Sequence, residues 1–181
     1  VTDAVVALGA NLGRPERAVR DAVLRLAAAG GIEVRAGSRL WRSEPWGFAD
    51  QPEFVNAVVV LHTSLGAREL LAVLQREERR AGRRPGPRNG PRALDLDLLT
   101  HGDDVVDEPG LTLPHPGIAR RRFVLEPLRE AAPRWRHPVL GRNAEELLAE
   151  LHAAGGATRC TPIPGEALLS VAAAEEPVCL G

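Results

Sequence analysis

The stretch Gly90–Leu99, GPRALDLDLL, decides how the chain is read. After a Gly/Pro-rich opening, Ala93–Thr100 has the composition of a strand. Side chains of a strand alternate between its two faces. Leu94, Leu96 and Leu98 therefore leave one face, and Asp95 and Asp97 leave the other. Two like charges side by side raise each other's pKa. A divalent cation removes that conflict, since Mg²⁺ favours one or two carboxylates together with substrate phosphates. Read alone, the pair also fits two acids facing water on an exposed sheet.

The residues just upstream shift that balance. Arg79, Arg80, Arg83, Arg84, Arg88 and Arg92 occur with no acid among them. Guanidinium groups grip phosphate oxygens in a planar, two-pronged way. A Gly/Pro-rich loop carrying them can close over a triphosphate. Arginines and carboxylate pair together point to phosphoryl transfer. The chain contains no lysine, so a P-loop with its obligatory lysine is excluded.

Working outward, Asp3–Leu8 reads as a strand and GANLG, Gly9–Gly13, as a turn. Pro15 suits the first turn of a helix whose apolar stripe is Ala18, Val19, Ala22, Val23 and Leu26, ending at Gly30-Gly31. Ile32–Leu40 alternates as a half-buried strand. Ser43–Glu53 is a long loop. Phe54–His62 is a strand with Phe54, Asn56 and Val58 on one face. A helix is expected from Gly66 to Ala81, capped by Ser64. Leu111–Leu113 is a short strand, and Asn143 with Glu146 resembles a capping box for a last helix through Leu151. The order is βαββαβ with additions. It predicts an α+β sandwich of the ferredoxin-like kind, an antiparallel sheet with helices packed on one face, plus C-terminal additions. One domain is expected over residues 1–156, with a weakly structured tail over 157–181.

Phe54 and Asn56 share a strand face, where a ring and an amide can stack on and hydrogen-bond a flat heterocycle. They equally fit a core phenylalanine beside a satisfied asparagine. Phe123, near Arg121 and Arg122, is a second isolated aromatic. His115, held between two prolines in LPHP, reads as a phosphate donor or a plain turn residue. The net charge of −1 over 181 residues gives no bulk attraction for nucleic acid or membrane. Cys160 and Cys179 lack metal-ligand spacing, and a cytoplasmic location is expected.

Four blocks, in order over residues 4–151, resemble one family, the 6-hydroxymethyl-7,8-dihydropterin pyrophosphokinases. GPRALDLDLL resembles its G-P-R-[ST]-[LI]-D-[LI]-D signature, and ALGANLG at 7–13 its G-[SA]-N-[LM]-G opening. SEPWGFADQPEFVNAVV at 43–59 resembles its P-x-G and Q-x-x-F-x-N-x-V segment. LPHPGIARRRFVLEPL at 113–128 resembles its P-H-P block with R-x-F. The resemblance implies transfer of the pyrophosphoryl group of ATP to the pterin, release of AMP, and two Mg²⁺ ions on Asp95 and Asp97. It assigns Ser43, Pro45, Trp46, Phe54, Asn56 and Phe123 to the pterin. Arg83 and Arg92 become the catalytic arginines, and Glu78, Arg88, His115 and Arg121 join them along ATP. A monomer acting on small molecules is implied. The sequence departs from the family at Asn89, where a loop tryptophan is usual, and in a loop one residue shorter. Two other classes compete: a nucleotide-binding regulatory protein without turnover, and an RNA-binding module, which would want aromatics interleaved with basic residues on its strands.

Overall fold

The computed structural model describes residues 1–47, 49–83, 90–156 and 158–169. Three long strands form the centre: β1 (Thr2–Ala10), β4 (Phe54–Thr63) and β5 (Asp95–His101). β1 lies between the other two, antiparallel to both. β2 (Ile32–Gly37) and β3 (Trp41–Ser43) both pair antiparallel with β4. The segment expected as one strand over 32–40 thus divides. A register shift falls between Val34 and Ala36, and pairing resumes only at Trp41.

α1 (Pro15–Ala27) and α2 (Ala67–Arg80) pack on one face of this sheet. Val19, Ala22, Val23 and Leu26 of α1 meet Leu70 and Leu74 of α2 over Ala4, Val6 and Leu8 of β1 and Leu96 and Leu98 of β5. Leu94 joins them from just before β5. Gly66, not Ser64, begins α2: its N–H donates to Glu69 Oε2 at 2.8 Å, so a side chain inside the helix satisfies the terminal donor.

The opposite face is where the structure departs from expectation. α3 (Arg122–Ala131) and α4 (Ala144–Ala153) cover part of it. Val124, Leu125, Leu128, Leu147 and Leu148 bury Val5, Val58 and Leu99 in a second apolar cluster. Helices therefore lie on both faces, because the C-terminal additions fold back over the side the βαββαβ unit leaves bare. α3 escapes a sequence reading because Pro127 lies inside it and cannot donate to the Phe123 carbonyl. α4 begins as expected, with Asn143 accepting from Glu146 N–H at 2.8 Å and Glu146 accepting from Asn143 N–H at 2.8 Å.

The segment after 156 is not loose over its described part. β8 (Cys160–Pro162) pairs with β3 at the sheet edge. Gly37 N–H donates to Leu169 O at 3.0 Å and Leu168 N–H to Ser38 O at 2.9 Å. Pairing partners supplied by β3 and β2 order a stretch that has no periodicity of its own. Residues 170–181, Cys179 included, lie outside the described residues. β6 (Val106–Glu108) and β7 (Leu111–Leu113) form a separate hairpin. Among the described residues no helix is long and apolar enough to cross a membrane.

Candidate active site

α3 and α4 leave one end of the second sheet face uncovered, and register places polar side chains there. Gly9 of β1 is paired with Asn56 on one side and with Asp95 on the other. One pair along, Ala7 stands between Val58 and Asp97. Residues two apart share a face, so Phe54, Asn56, Gly9, Ala7, Asp95 and Asp97 form one floor. A Cβ on Gly9 would stand 3.5 Å from Asn56 Oδ1 and 4.0 Å from the Phe54 ring. Glycine leaves that volume open between the ring and the carboxylates.

Above this floor is a cleft of about 260 Å³. Its walls include Ser43, Trp46 and Phe123 at one end, and Arg83, Arg92, His115 and Arg121 at the other. Thirteen residues were expected at the site besides Arg88. The structure brings together all of them except two. Pro45 does not line the cleft, although its neighbours Glu44 and Trp46 do. Glu78, expected along ATP, is instead buried behind the site at 4% exposure. Its Oε1 accepts the Leu96 N–H at 2.8 Å and also meets Arg83 Nη1. Glu78 therefore braces β5 and Arg83 from below. Arg84, Arg88 and Asn89 lie outside the described residues.

Charge is tightly arranged at the arginine end. Arg83 Nη1 stands 2.9 Å from Asp95 Oδ1. Arg121 Nη1 stands 3.5 Å from Asp97 Oδ2. Burial pushes the Asp95 pKa up, and the Asp97 charge adds to the rise; Arg83 and Arg92 oppose it. Burial raises the Glu78 pKa to about 6, against the Leu96 N–H and Arg83. Both shifts follow first from withdrawing the carboxylates from water, with Arg83 paired to each and working against the rise. His115 is shifted the other way, its pKa lowered by burial, with Asp97 opposing. Its Nδ1 accepts the Gly117 N–H at 3.0 Å, so the neutral ring carries its proton on Nε2 and offers a donor.

The other end is an aromatic slot. Asn56 Nδ2 donates to Ser43 Oγ at 2.9 Å, which fixes the amide plane. The Arg121 guanidinium lies 5.6 Å from the Trp46 ring centroid and 5.9 Å from that of Phe123. Cation–π contact of this kind joins the slot to the carboxylate end. The rim is braced by Arg159, which reaches Glu44 Oε1 at 3.2 Å and Glu53 Oε1 at 2.6 Å. Both acids flank the loop that carries Trp46.

Sequence reading misses two contributors. Gly9 and Asn11 lie in the GANLG turn, and only three-dimensional register shows Gly9 as floor and Asn11 as a tether. α3 and α4 cover part of the sheet face that an RNA-binding module of this fold would present.

Guanidiniums facing a carboxylate pair, beside a slot for a flat ring, belong to the chemistry of phosphoryl-transfer enzymes. Comparison with known proteins narrows the class. Residues 5–133 match the family model described as 7,8-dihydro-6-hydroxymethylpterin-pyrophosphokinase. A 2-amino-4-hydroxy-6-hydroxymethyldihydropteridine pyrophosphokinase of Pseudomonas aeruginosa is 44% identical over 144 residues, covering 80% of this chain and 88% of that protein. The enzyme of the same name from Synechocystis is 40% identical over 148 residues, covering 82% and 75%. Among solved structures, the Plasmodium falciparum HPPK-DHPS triple mutant with pteroate superposes with a TM-score of 0.66 at 14% identity. That match covers 84% of this chain and 44% of the Plasmodium chain, so this chain spans less than half of that longer polypeptide, and the likeness is one of fold. The chain belongs to the 7,8-dihydro-6-hydroxymethylpterin-pyrophosphokinase family.

Proposed function

We propose that the protein transfers the β,γ-pyrophosphoryl group of ATP to the hydroxymethyl oxygen of 6-hydroxymethyl-7,8-dihydropterin, giving AMP and the pterin diphosphate, as a step of folate biosynthesis. The observation that carries this reading is the two-ended cleft: an aromatic–amide slot at one end, and carboxylates with arginines at the other. The pterin ring fits between Phe54 and Phe123, with Asn56 and Ser43 reading its edge beside the Pro45–Trp46 backbone. Phe54 and Asn56 lie on the floor, and Phe123 comes from α3 across the cleft.

Asp95 and Asp97 suit Mg²⁺. They are hard oxygen donors on one strand face, and a cation between them would offset the burial and the Asp97 charge that raise the Asp95 pKa. We assign two Mg²⁺ ions to this pair, which supply Lewis-acid neutralisation of the triphosphate when bound. Arg83 and Arg92 complement the negative charge that develops on the transferred group. Arg121 and the neutral His115 donate to the triphosphate at the same end of the cleft, and Arg88, outside the described residues, is assigned to ATP with them. The pterin hydroxyl oxygen forms its bond to the β-phosphorus in line, while the bond from that phosphorus to the α–β bridging oxygen breaks. AMP leaves with the electron pair, and the hydroxyl proton passes to solvent. Walls at both ends hold the two reactants in line, which lowers the entropic barrier to the transfer. The free, buried Cys160 fits a reducing cytoplasm.

Phosphorus NMR of the protein with ATP, Mg²⁺ and the pterin tests the reading, beside Asp97→Ala. AMP and a pterin diphosphate are expected, and neither with the variant. ADP in place of AMP would refute pyrophosphoryl transfer. Tight nucleotide binding without any product would support the regulatory alternative.

A further inference from the structure

Asn11 follows β1 directly, is 4% exposed, and does not line the cleft. Its side chain nevertheless joins the two ends of the site. Nδ2 donates to Gln51 Oε1 at 3.0 Å and to Pro52 O at 2.9 Å. Oδ1 accepts the Arg92 N–H at 2.8 Å. The Arg92 carbonyl in turn accepts from the Asn11 N–H at 2.9 Å and the Leu12 N–H at 3.2 Å. Both polar groups of the Arg92 backbone are thus held by the β1 end. Gln51 and Pro52 lie in the loop between Trp46 and Phe54, both of which line the slot.

An amide is the side chain that can do this. It offers donors to two acceptors on one side and an acceptor to one donor on the other. A buried amide with all three bonds made holds its partners rigidly, because breaking any one leaves a desolvated polar group. We propose that Asn11 is a positioning residue that sets the Arg92 guanidinium in register with the Trp46 loop, and so aligns the triphosphate end of the cleft with the pterin end. This rests on the reading of the cleft as an ATP and pterin site. The two arms have separable effects. The donor arm fixes the loop and belongs to pterin binding. The acceptor arm fixes Arg92 and belongs to the transfer step.

The test is steady-state kinetics of AMP formation by the full chain, with thermal midpoints measured in parallel. Asn11→Asp keeps an acceptor for Arg92 N–H and removes both donors to the loop. Its pterin KM is expected to rise roughly three- to tenfold with kcat within about twofold, the loss of one or two hydrogen bonds. Gln51→Ala should reproduce that KM rise and add nothing to Asn11→Asp. Asn11→Ala removes the acceptor as well, and kcat should fall by about tenfold or more. Unmoved KM and kcat per folded protein, with only the midpoint lowered, would make Asn11 purely structural and overturn the proposal. Equal loss of kcat in Asn11→Asp and Asn11→Ala would overturn it as well, since the arms would not be separable. Should Asn11→Ala not fold, an unchanged pterin KM in both Asn11→Asp and Gln51→Ala is the overturning result. A wild-type protein that forms no AMP removes the reading of the cleft together with the proposal; a normal wild type with unmoved variants removes the proposal alone.

Discussion

The two faces of β4, β1 and β5 are made from the same three strands and share nothing else. On the face under α1 and α2, the core residues are aliphatic: Val55, Ala57, Val59 and Leu61 of β4, Ala4, Val6 and Leu8 of β1, and Leu96 and Leu98 of β5. On the other face the strands change character along their length. Val5, Val58 and Leu99 pack under α3 and α4 at one end. Phe54, Asn56, Gly9, Asp95 and Asp97 face the cleft at the other. Strict alternation lets one strand serve as core and as chemistry at once, and a one-residue slip would exchange the two. Activity and stability should therefore respond separately to substitutions one residue apart.

The largest separation is expected on β5. Asp95→Asn should reduce AMP formation by about 10³-fold or more, because an oxygen of the proposed Mg²⁺ site is lost. Its thermal midpoint without metal should not fall. Burial and Asp97 already disfavour the ionised Asp95 in the fold, so the amide removes a strained charge. A midpoint lowered by many degrees would show that the Arg83–Asp95 contact supports the apo fold, and would blur the contrast between the faces.

The converse substitution lies on the aliphatic face. Leu61 is fully buried in the first cluster. Leu61→Ala should destabilise the protein by about 2–5 kcal/mol in denaturant unfolding. Its kcat per folded molecule should stay at the wild-type value. A drop in kcat beyond the loss of folded protein would mean that packing below the sheet sets geometry above it.

Within the cleft, the same logic separates the two ends. Phe123→Ala should raise the pterin KM roughly 10- to 100-fold, the usual value of one stacked ring, and leave the ATP KM nearly unchanged. The contact of Arg121 with both Phe123 and Trp46 is the route by which this separation could fail. If the ATP KM rises in proportion, the guanidinium is held by the rings rather than by Asp97.

How much of this is legible in the sequence follows from how each feature is encoded. Period-two alternation marks β1, β4 and β5, and it also marks Asp95, Asp97, Phe54 and Asn56 as face partners. β3 and β8 have three residues each, too few for any period; β4 and β8 supply the hydrogen-bond partners of β3, and β3 supplies those of β8. α3 carries a helical stripe in Val124, Leu125, Leu128 and Ala131, but Arg120 and Arg121 before it, Arg122 at its start and Pro127 within it hide the pattern. Asn11 reaches Arg92 across 81 positions, a contact that no local spacing records. Glu78 is the plainest case. It sits among charged neighbours on α2 and reads as a surface acid or a ligand, whereas the fold buries it beneath β5.

Burial of Glu78 gives the smallest of these effects, and its sign follows from linkage. Its pKa rises from the ordinary 4.5 to about 6, so the folded state binds the proton more tightly than the unfolded chain. The favourable contribution is complete below about pH 4.5 and is lost as pH rises through about 6. Glu78→Gln keeps an acceptor for the Leu96 N–H and removes the titration. The midpoint of the variant minus that of wild type should therefore grow by roughly 2–4 °C between about pH 5 and pH 7.5 in metal-free buffer. The difference cancels the titrating groups that Glu78 does not touch, and leaves Glu78 together with Asp95, whose charge acts on it. A difference that stays flat would mean that Arg83 holds Glu78 ionised throughout. One that shrinks with rising pH would mean that this pairing outweighs burial, and Glu78 would then belong with the compensated charges rather than with the strained pair above it.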